Sequence, residues 1–408
     1  MKIQLLRRRE DFSGIFQESI PVFFQEKYPH SRLLDIDYIA NDYLNIVYPS
    51  NINRADLTDL VGEFKYHRKL YRRILQSIYT YLAIRWPVEA VASSELISIQ
   101  MPYEARNRWV FIPGNHSIRV VDLDNNRCFV FLKIGFNYKF INSDAQIRLS
   151  HVWLKAPKVF DKKNNWYEEE RVVGLPWNRL SSNVLKKEVI IKAQEQLLKL
   201  YSQSAVKISV SNYTSKICNE ILSLLSASFS SLSDESKVII RSFVNELRFL
   251  LGNCIGDINI DLVCTHGDFQ PGNILCSEDD FWIIDWEYSD QRSIFYDALV
   301  FDLECRSPSG LSIRLDKKIN EMNGINTYLG WTGNTLNEEN KHYFPIFFIE
   351  DLLLRMNEVS VESIHVKYDN LSAYLDELPA IKDILKINIL SEFSTSCTLR
   401  CPPIVGQK

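Results

Sequence analysis

Thr265-His266-Gly267-Asp268-Phe269-Gln270-Pro271-Gly272-Asn273-Ile274-Leu275, followed closely by Ile283-Ile284-Asp285-Trp286-Glu287, decides how this chain is read. Asp268 stands five residues before Asn273, and Asp285 twelve residues beyond it. Apolar, β-branched residues lead into both carboxylates, which places each at the end of a strand. Phosphoryl transfer from a nucleoside triphosphate calls for such a set: one carboxylate to take the acceptor's hydroxyl proton, an Asn and a second carboxylate to hold Mg²⁺ on the phosphates.

Each residue type suits its expected task. Asp268 precedes Pro271-Gly272 and so lies in a loop, where a carboxylate can orient and deprotonate a hydroxyl. Asn273 offers a neutral amide oxygen and Asp285 a charged one, both hard ligands for Mg²⁺. His266 is placed to brace the loop by hydrogen bonds. Gly267 and Gly272 serve backbone geometry or close approach. Asp297 either caps a helix and hydrogen-bonds the catalytic loop or is a plain helix-start Asp.

Composition narrows the setting. The 408 residues suffice for two or three domains, and 46% hydrophobic with 24% charged residues is ordinary for a soluble protein. A formal net charge of -4 gives no reason to expect nucleic-acid binding. No apolar run reaches the roughly 18 residues of a membrane span. The segment MKIQLLRRREDF lacks the apolar core and cleavage site of a signal peptide. Eight scattered cysteines without a CxxC pair read as reduced thiols, so a cytoplasmic location is expected.

Outside the motif, Leu57, Leu60, Val61, Phe64, Tyr71, Ile74, Leu75, Ile78 and Leu82 predict a long helix over about 56–85. Its basic residues at 65–73 (Lys65, Arg68, Lys69, Arg72 and Arg73) form a solvated face or a surface for an anionic partner. RWVFIPGNHSIRVVDLDNNRCFVFLKIG predicts three antiparallel strands at about 108–112, 117–123 and 127–134. Asn142-Ser143-Asp144 suits a helix start. Helices are then predicted over about 182–202, 213–225, 233–251, 296–306 and 344–358.

HGDFQPGNIL followed by IIDWEYSDQRSIFYDAL resembles the aminoglycoside phosphotransferase and choline kinase superfamily, kinase-fold enzymes that phosphorylate small-molecule hydroxyls. The resemblance implies Asp268 as catalytic base, Asn273 and Asp285 as Mg²⁺ ligands, and His266 as the loop-bracing residue. Asp297 matches an Asp that commonly follows the motif. With the order of elements, it implies an α+β, two-lobed protein-kinase-like fold: a small antiparallel-sheet N-lobe and a larger helical C-lobe. Residues 1–100 are expected to add a mainly helical region of unknown role, 101–174 to form the N-lobe, and 175–408 the C-lobe.

Such a fold requires a Lys on the third N-lobe strand to hold the nucleotide's phosphates, and Lys133 stands there, with Lys139 as the alternative. The turn over the phosphates would be 113–117, with Gly114, Asn115 and Ser117 at the nucleotide. No Glu lies between Lys133 and Tyr167 to pair with the Lys; Asp144 is the nearest acidic residue. Only eleven residues separate Asp285 from Asp297, too few for an activation segment that would present a protein substrate. The expected activity is Mg²⁺-dependent transfer of the γ-phosphate of ATP or GTP to a small hydroxyl compound: a sugar, amino alcohol, aminoglycoside or glycan precursor. A nucleotide-binding scaffold without catalysis is the competing reading, and an atypical protein kinase the third. Glu304, Glu350, Asp351, Glu358, Trp331 and Phe347 are the candidate acceptor-site residues.

Overall fold

The computed structural model describes residues 3–61, 70–85, 87–103, 109–227, 232–254, 258–322, 341–359 and 370–397. The chain opens with α1 (Ile3–Arg9) and α2 (Phe12–Lys27), whose start is capped by Asp11 accepting from the Gly14 N–H at 3.2 Å. Phe12, Phe16, Ile20, Phe23 and Phe24 recur at helical spacing and are buried, so α2 turns one apolar face to a sheet. Then come β1 (Leu33–Asn41), β2 (Ile46–Pro49), α3 (Arg54–Leu60), α4 (Leu70–Ala83), α5 (Val88–Ala92) and β3 (Ser93–Pro102). β4 (Trp109–Pro113), β5 (Ser117–Asp122) and β6 (Arg127–Leu132) form the antiparallel meander expected from the turns between them.

α6 (Lys139–Ser150) begins ahead of Asn142-Ser143-Asp144, which lie inside the helix rather than opening it. Asp144 is buried there and engages Arg148 and Tyr167. β7 (Val159–Lys162), β8 (Trp166–Glu170) and β9 (Leu175–Pro176) precede α7 (Asn183–Ser204), β10 (Val206–Ser209), α8 (Val210–Ala227) and α9 (Asp234–Cys254). The motif strands are β11 (Asn259–Thr265), β12 (Ile274–Cys276) and β13 (Phe281–Ile283). β14 (Asp290–Ser293), α10 (Tyr296–Asp302), α11 (Leu311–Met322), α12 (Tyr343–Val359) and α13 (Asn370–Cys397) complete the order.

The fold is α+β, and the chain divides into two compact units. The first holds residues 1–196, 266–289 and 361–368. Its centre is an eight-stranded antiparallel sheet in the order β3-β1-β2-β4-β5-β6-β8-β7. Residues 1–100 carry the helices α1 to α5 and also supply β1, β2 and most of β3 to that sheet. LLDIDYIAN pairs with SSELISIQMP from Leu33 opposite Pro102 to Asn41 opposite Ser93, with one register shift at Ala40/Asn41, and β2 joins β4 through Val47 opposite Phe111.

Both faces of the sheet are covered. α2 packs on the face bearing Phe111, Ile118, Val120, Phe129, Phe131 and Trp166. The opposite face packs Val130 and Tyr167 against Ile141 and Ala145 of α6. α3 overlaps the start of the helix expected over 56–85 and α4 falls within it, and residues 62–69 between them lie outside the described residues. Of the basic set at 65–73, Arg72 and Arg73 are described and exposed. Tyr71, Ile74, Leu75 and Ile78 of α4 are exposed as well. A small second sheet, β13-β12-β9, carries the motif loop.

The second unit holds residues 197–265, 290–360 and 369–408, and is mainly helical around the sheet β10-β11-β14. Its interior contains buried charge. Glu350 accepts from the Tyr213 hydroxyl and the Ser293 N–H, each at 2.6 Å, and Asp351 pairs with Arg355 at 2.9 Å. Buried charges need such partners to offset lost hydration. Glu350 and Asp351 therefore belong to the interior, and Phe347, also buried, packs against Tyr296. Trp331 lies outside the described residues. Asp297 lies in the first turn of α10 and accepts from the Tyr201 hydroxyl at 2.7 Å.

Candidate active site

β11 ends at Thr265, and the next loop is braced by its first residue. The His266 Nε2–H donates to the carbonyl of Ile284 at 2.9 Å, and its Nδ1 accepts from the Asp268 N–H at 3.2 Å. A carbonyl can only accept, so the ring carries its proton on Nε2. Gly267 has φ +84°, and a Cβ there would sit 2.2 Å from the carbonyl oxygen of Tyr288. Glycine alone fits so close a backbone approach.

The Asp268 carboxylate is oriented from two sides. Its Oδ2 accepts from Asn273 Nδ2 and from Gln270 Nε2, both at 2.9 Å. Asn273 Nδ2 also donates to the Asp268 carbonyl at 2.9 Å. With its nitrogen committed in this way, the Asn273 Oδ1 accepts no hydrogen bond among the described residues. The Ile284 N–H donates to the Asn273 carbonyl at 2.9 Å, tying Asn273 to the residue before Asp285. Lys155 steadies the same hairpin: its carbonyl accepts from the Ile283 N–H at 2.7 Å, and its ammonium pairs with Asp280 at 2.8 Å.

Asp285 follows β13 in the left-handed region, with φ 62° and ψ 57°. For a residue with a Cβ this conformation costs roughly 1–2 kcal/mol, and strain of this kind gathers at functional sites. Burial pushes its carboxyl up to about 6. Arg119 opposes that rise, while Glu287, Asp144 and Asp268 add to it. An amide oxygen and a carboxylate are each hard oxygen donors of the kind a divalent cation takes. Among the described residues no group of three or more His, Cys, Asp or Glu side chains is placed to hold a metal. Mg²⁺ needs no such cage, since it takes one or two protein carboxylates and completes its shell with phosphate and water.

The residues expected at the nucleotide are arranged differently from the motif. Lys133 is 1% exposed and its ammonium is paired with Glu10, which also binds Arg9 at 3.0 Å. The partner not found between Lys133 and Tyr167 thus comes from the junction of α1 and α2. Burial lowers the Lys133 pKa to about 8 in spite of Glu10. Asp144, the acidic residue expected as its partner, lies instead with Arg148. In the turn at 113–117, the Gly114 N–H donates to the Ser117 carbonyl at 2.9 Å, and the Asn115 carbonyl accepts from Arg9 Nη2 at 2.6 Å. Ser117 opens β5 opposite Leu132.

A second cation, which sequence reasoning missed, faces the acidic residues. Arg119 of β5 places Nη2 3.7 Å from Asp285 Oδ1 and donates through Nε to Glu169 at 3.0 Å. Glu169 also accepts from Arg148 at 2.7 Å. Burial acts against the Arg119 charge, but Glu169 and Asp285 outweigh it and hold the guanidinium protonated. The alternation Ser117-Ile118-Arg119-Val120 was the available signal: two polar side chains, at 117 and 119, on one face of a strand beside the expected phosphate turn.

In structure the chain is similar to small-molecule kinases, both choline kinases and aminoglycoside phosphotransferases. A choline kinase from Cryptosporidium parvum Iowa II matches at 13% identity over 71% of this chain and 93% of its own, with a TM-score of 0.44. A choline/ethanolamine kinase family protein from Mesorhizobium loti matches at 13% identity over 79% of this chain and 99% of its own, with a TM-score of 0.44. A thermostable mutant of aminoglycoside phosphotransferase APH(4)-Ia matches at 11% identity over 70% and 94%, with a TM-score of 0.43. No family model matches the chain, and no curated protein does.

Proposed function

We propose that this chain is a Mg²⁺-dependent phosphotransferase that moves the γ-phosphate of ATP or GTP to a hydroxyl of a small molecule. The observation that carries this reading is the fixed carboxylate of Asp268, held by Asn273 and Gln270 on a loop that His266 ties to the strand leading into Asp285. Asp268 takes the proton of the attacking hydroxyl, help of a kind typically worth 10²–10⁴-fold. Its two side-chain donors hold it in one orientation, so no rotamer search precedes proton transfer. Asn273 Oδ1 and the Asp285 carboxylate would hold Mg²⁺, which when bound neutralises charge on the transferring phosphate.

The segment after Asp285 favours a small acceptor. The chain passes through a 3₁₀ turn at Trp286–Tyr288 and the four-residue strand β14 before α10 begins at Tyr296. That connection has no long segment on which a peptide substrate would lie. Sugars, amino alcohols, aminoglycosides and glycan precursors are the acceptor classes to test.

The test is nucleotide consumption by the purified chain against such a panel, with and without Mg²⁺. Asp268→Ala is expected to reduce turnover by at least 10²-fold while leaving Mg²⁺–nucleotide binding in place. Turnover equal to the parent's in that variant would remove Asp268 from the mechanism. Nucleotide binding with no transfer to any hydroxyl would instead identify a scaffold.

A further inference from the structure

We propose that Arg119, rather than Lys133, is the cation that grips the nucleotide's phosphates; the inference rests on the phosphotransferase reading above and assigns that site's phosphate-binding residue. It comes from the alternation of two paired strands. β5 and β6 are antiparallel, with Arg119 opposite Val130 and Ser117 opposite Leu132. Side chains on a strand alternate between faces. Ile118, Val120, Phe129 and Phe131 enter the core beneath α2. Val130 and Tyr167 enter the core beneath α6, on the other face. Arg119 shares this second face with Glu169 and reaches Asp285 from it. Lys133, two residues beyond Phe131, continues the first face and ends against Glu10.

The surroundings of the two cations differ in the same sense. Lys133 is 1% exposed, and the Glu10 carboxylate is shared between it and Arg9. Taking it to a phosphate would leave that carboxylate short of a buried partner, which is costly. The Arg119 side chain keeps 29% exposure. Only its Nε is committed to a short hydrogen bond, and Asp285 stands at the looser 3.7 Å. Glu169 is itself held from behind by Arg148, and Arg148 by Asp144 at 2.9 Å. This chain of buried charges fixes the plane of the guanidinium and leaves its Nη edge toward the Asp285 side. A planar fork so held matches phosphate oxygens in pairs, which a lysine ammonium cannot do. Arg119 also lies two residues past the start of β5, directly after the turn expected over the phosphates.

The experiment is a titration of the full-length chain with ADP and AMP in Mg²⁺, read by displacement of a fluorescent ADP analogue. The parent is expected to prefer ADP, and Arg119→Gln to weaken ADP binding by 10-fold or more while AMP changes far less. Arg119→Lys should fall between the two. The paired variant Lys133→Met with Glu10→Gln removes the ammonium together with the carboxylate it pairs with, leaves Arg9 its hydrogen bond to the Asn115 carbonyl, and should bind ADP within about threefold of the parent. ADP binding by Arg119→Gln equal to the parent's, or a loss in the paired variant matching that of Arg119→Gln, overturns the assignment and leaves the phosphotransferase reading intact. A parent that binds neither nucleotide overturns both. If Arg119→Gln fails to fold, Arg119→Lys decides: ADP affinity equal to the parent's there overturns the assignment, and a loss for ADP that AMP does not share supports it.

Discussion

His266 Nε2 lies 2.9 Å from the carbonyl oxygen of Ile284, so one imidazole joins the loop of Asp268 to the strand that delivers Asp285. The ring is fully buried and its other nitrogen receives the Asp268 N–H, so both edges are occupied by backbone. This makes His266 a positioning residue for two carboxylates at once.

Replacing His266 with Ala is expected to strand a buried carbonyl and N–H, at about 1–3 kcal/mol of stability. Because Asp268 and Asp285, the base and metal-side carboxylate of the proposed mechanism, lose their common tie, turnover should fall by roughly 10²-fold, the scale associated with ångström misplacement. His266→Gln, whose amide can reach the Ile284 carbonyl, should recover part of both. Urea melts and nucleotide-consumption rates measure the two effects. Recovery of stability without any recovery of rate would show that the tie to Ile284 does not position the carboxylates.

Gly267→Ala is expected to destabilise the fold by more than about 2 kcal/mol, since its Cβ would meet the Tyr288 carbonyl at 2.2 Å in a backbone with φ +84°. Gly272→Ala provides the control. No atom lies within 4 Å of a Cβ built there, so its effect should stay under about 1 kcal/mol. Thermal denaturation of the two variants side by side checks the contrast.

The N-terminal segment should be indispensable to the sheet. Phe23 is 3% exposed and stacks on Phe131 with ring centroids 4.5 Å apart. Phe23→Ala is expected to cost about 3–5 kcal/mol, the usual range for removing a buried aromatic. A chain starting after Lys27 should fail to give a cooperative melt. A truncated chain with the parent's melting temperature would show that α2 is an appendage.

Lys133 gives the fold a measurable pH dependence. Its pKa is about 8 in the folded chain, against 10.5 for a free lysine. Between those values the unfolded chain holds a proton that the folded chain has released, so stability rises with pH across this window. The burial cost of the ammonium is fully present below about pH 8 and is relieved toward pH 10.5, by at most about 3 kcal/mol. Urea melts from pH 7 to 10 on the parent and on Lys133→Met with Glu10→Gln isolate this contribution. The parent's stability should gain relative to the variant as pH rises; parallel curves would rule out a depressed lysine.

The site and the fold were legible to different depths. The loop residues could be read because Asp268, Gln270 and Asn273 interact within a few residues of one another, where chain geometry alone brings them together. The meander at 109–132 was legible from Pro113-Gly114-Asn115-His116 and Asp124-Asn125-Asn126, which fix its turns locally. The strands at 33–49 and 93–102 were not read. Their alternation is mixed, and their partners lie far along the chain. The helical spacing of Phe12, Phe16, Ile20 and Phe23 was open to inspection, but not the sheet it would cover.

By itself, then, the sequence determined the acidic loop, its likeness to small-molecule phosphotransferases and the alternation of the central strands, because all three are short-range properties. The partners of the charges were decided only by tertiary structure. Glu10 meets Lys133 across 123 positions, and Glu169 meets Arg119 across 50. Buried charges are stable only where desolvation is offset by an opposite charge brought close, and that proximity is made by folding.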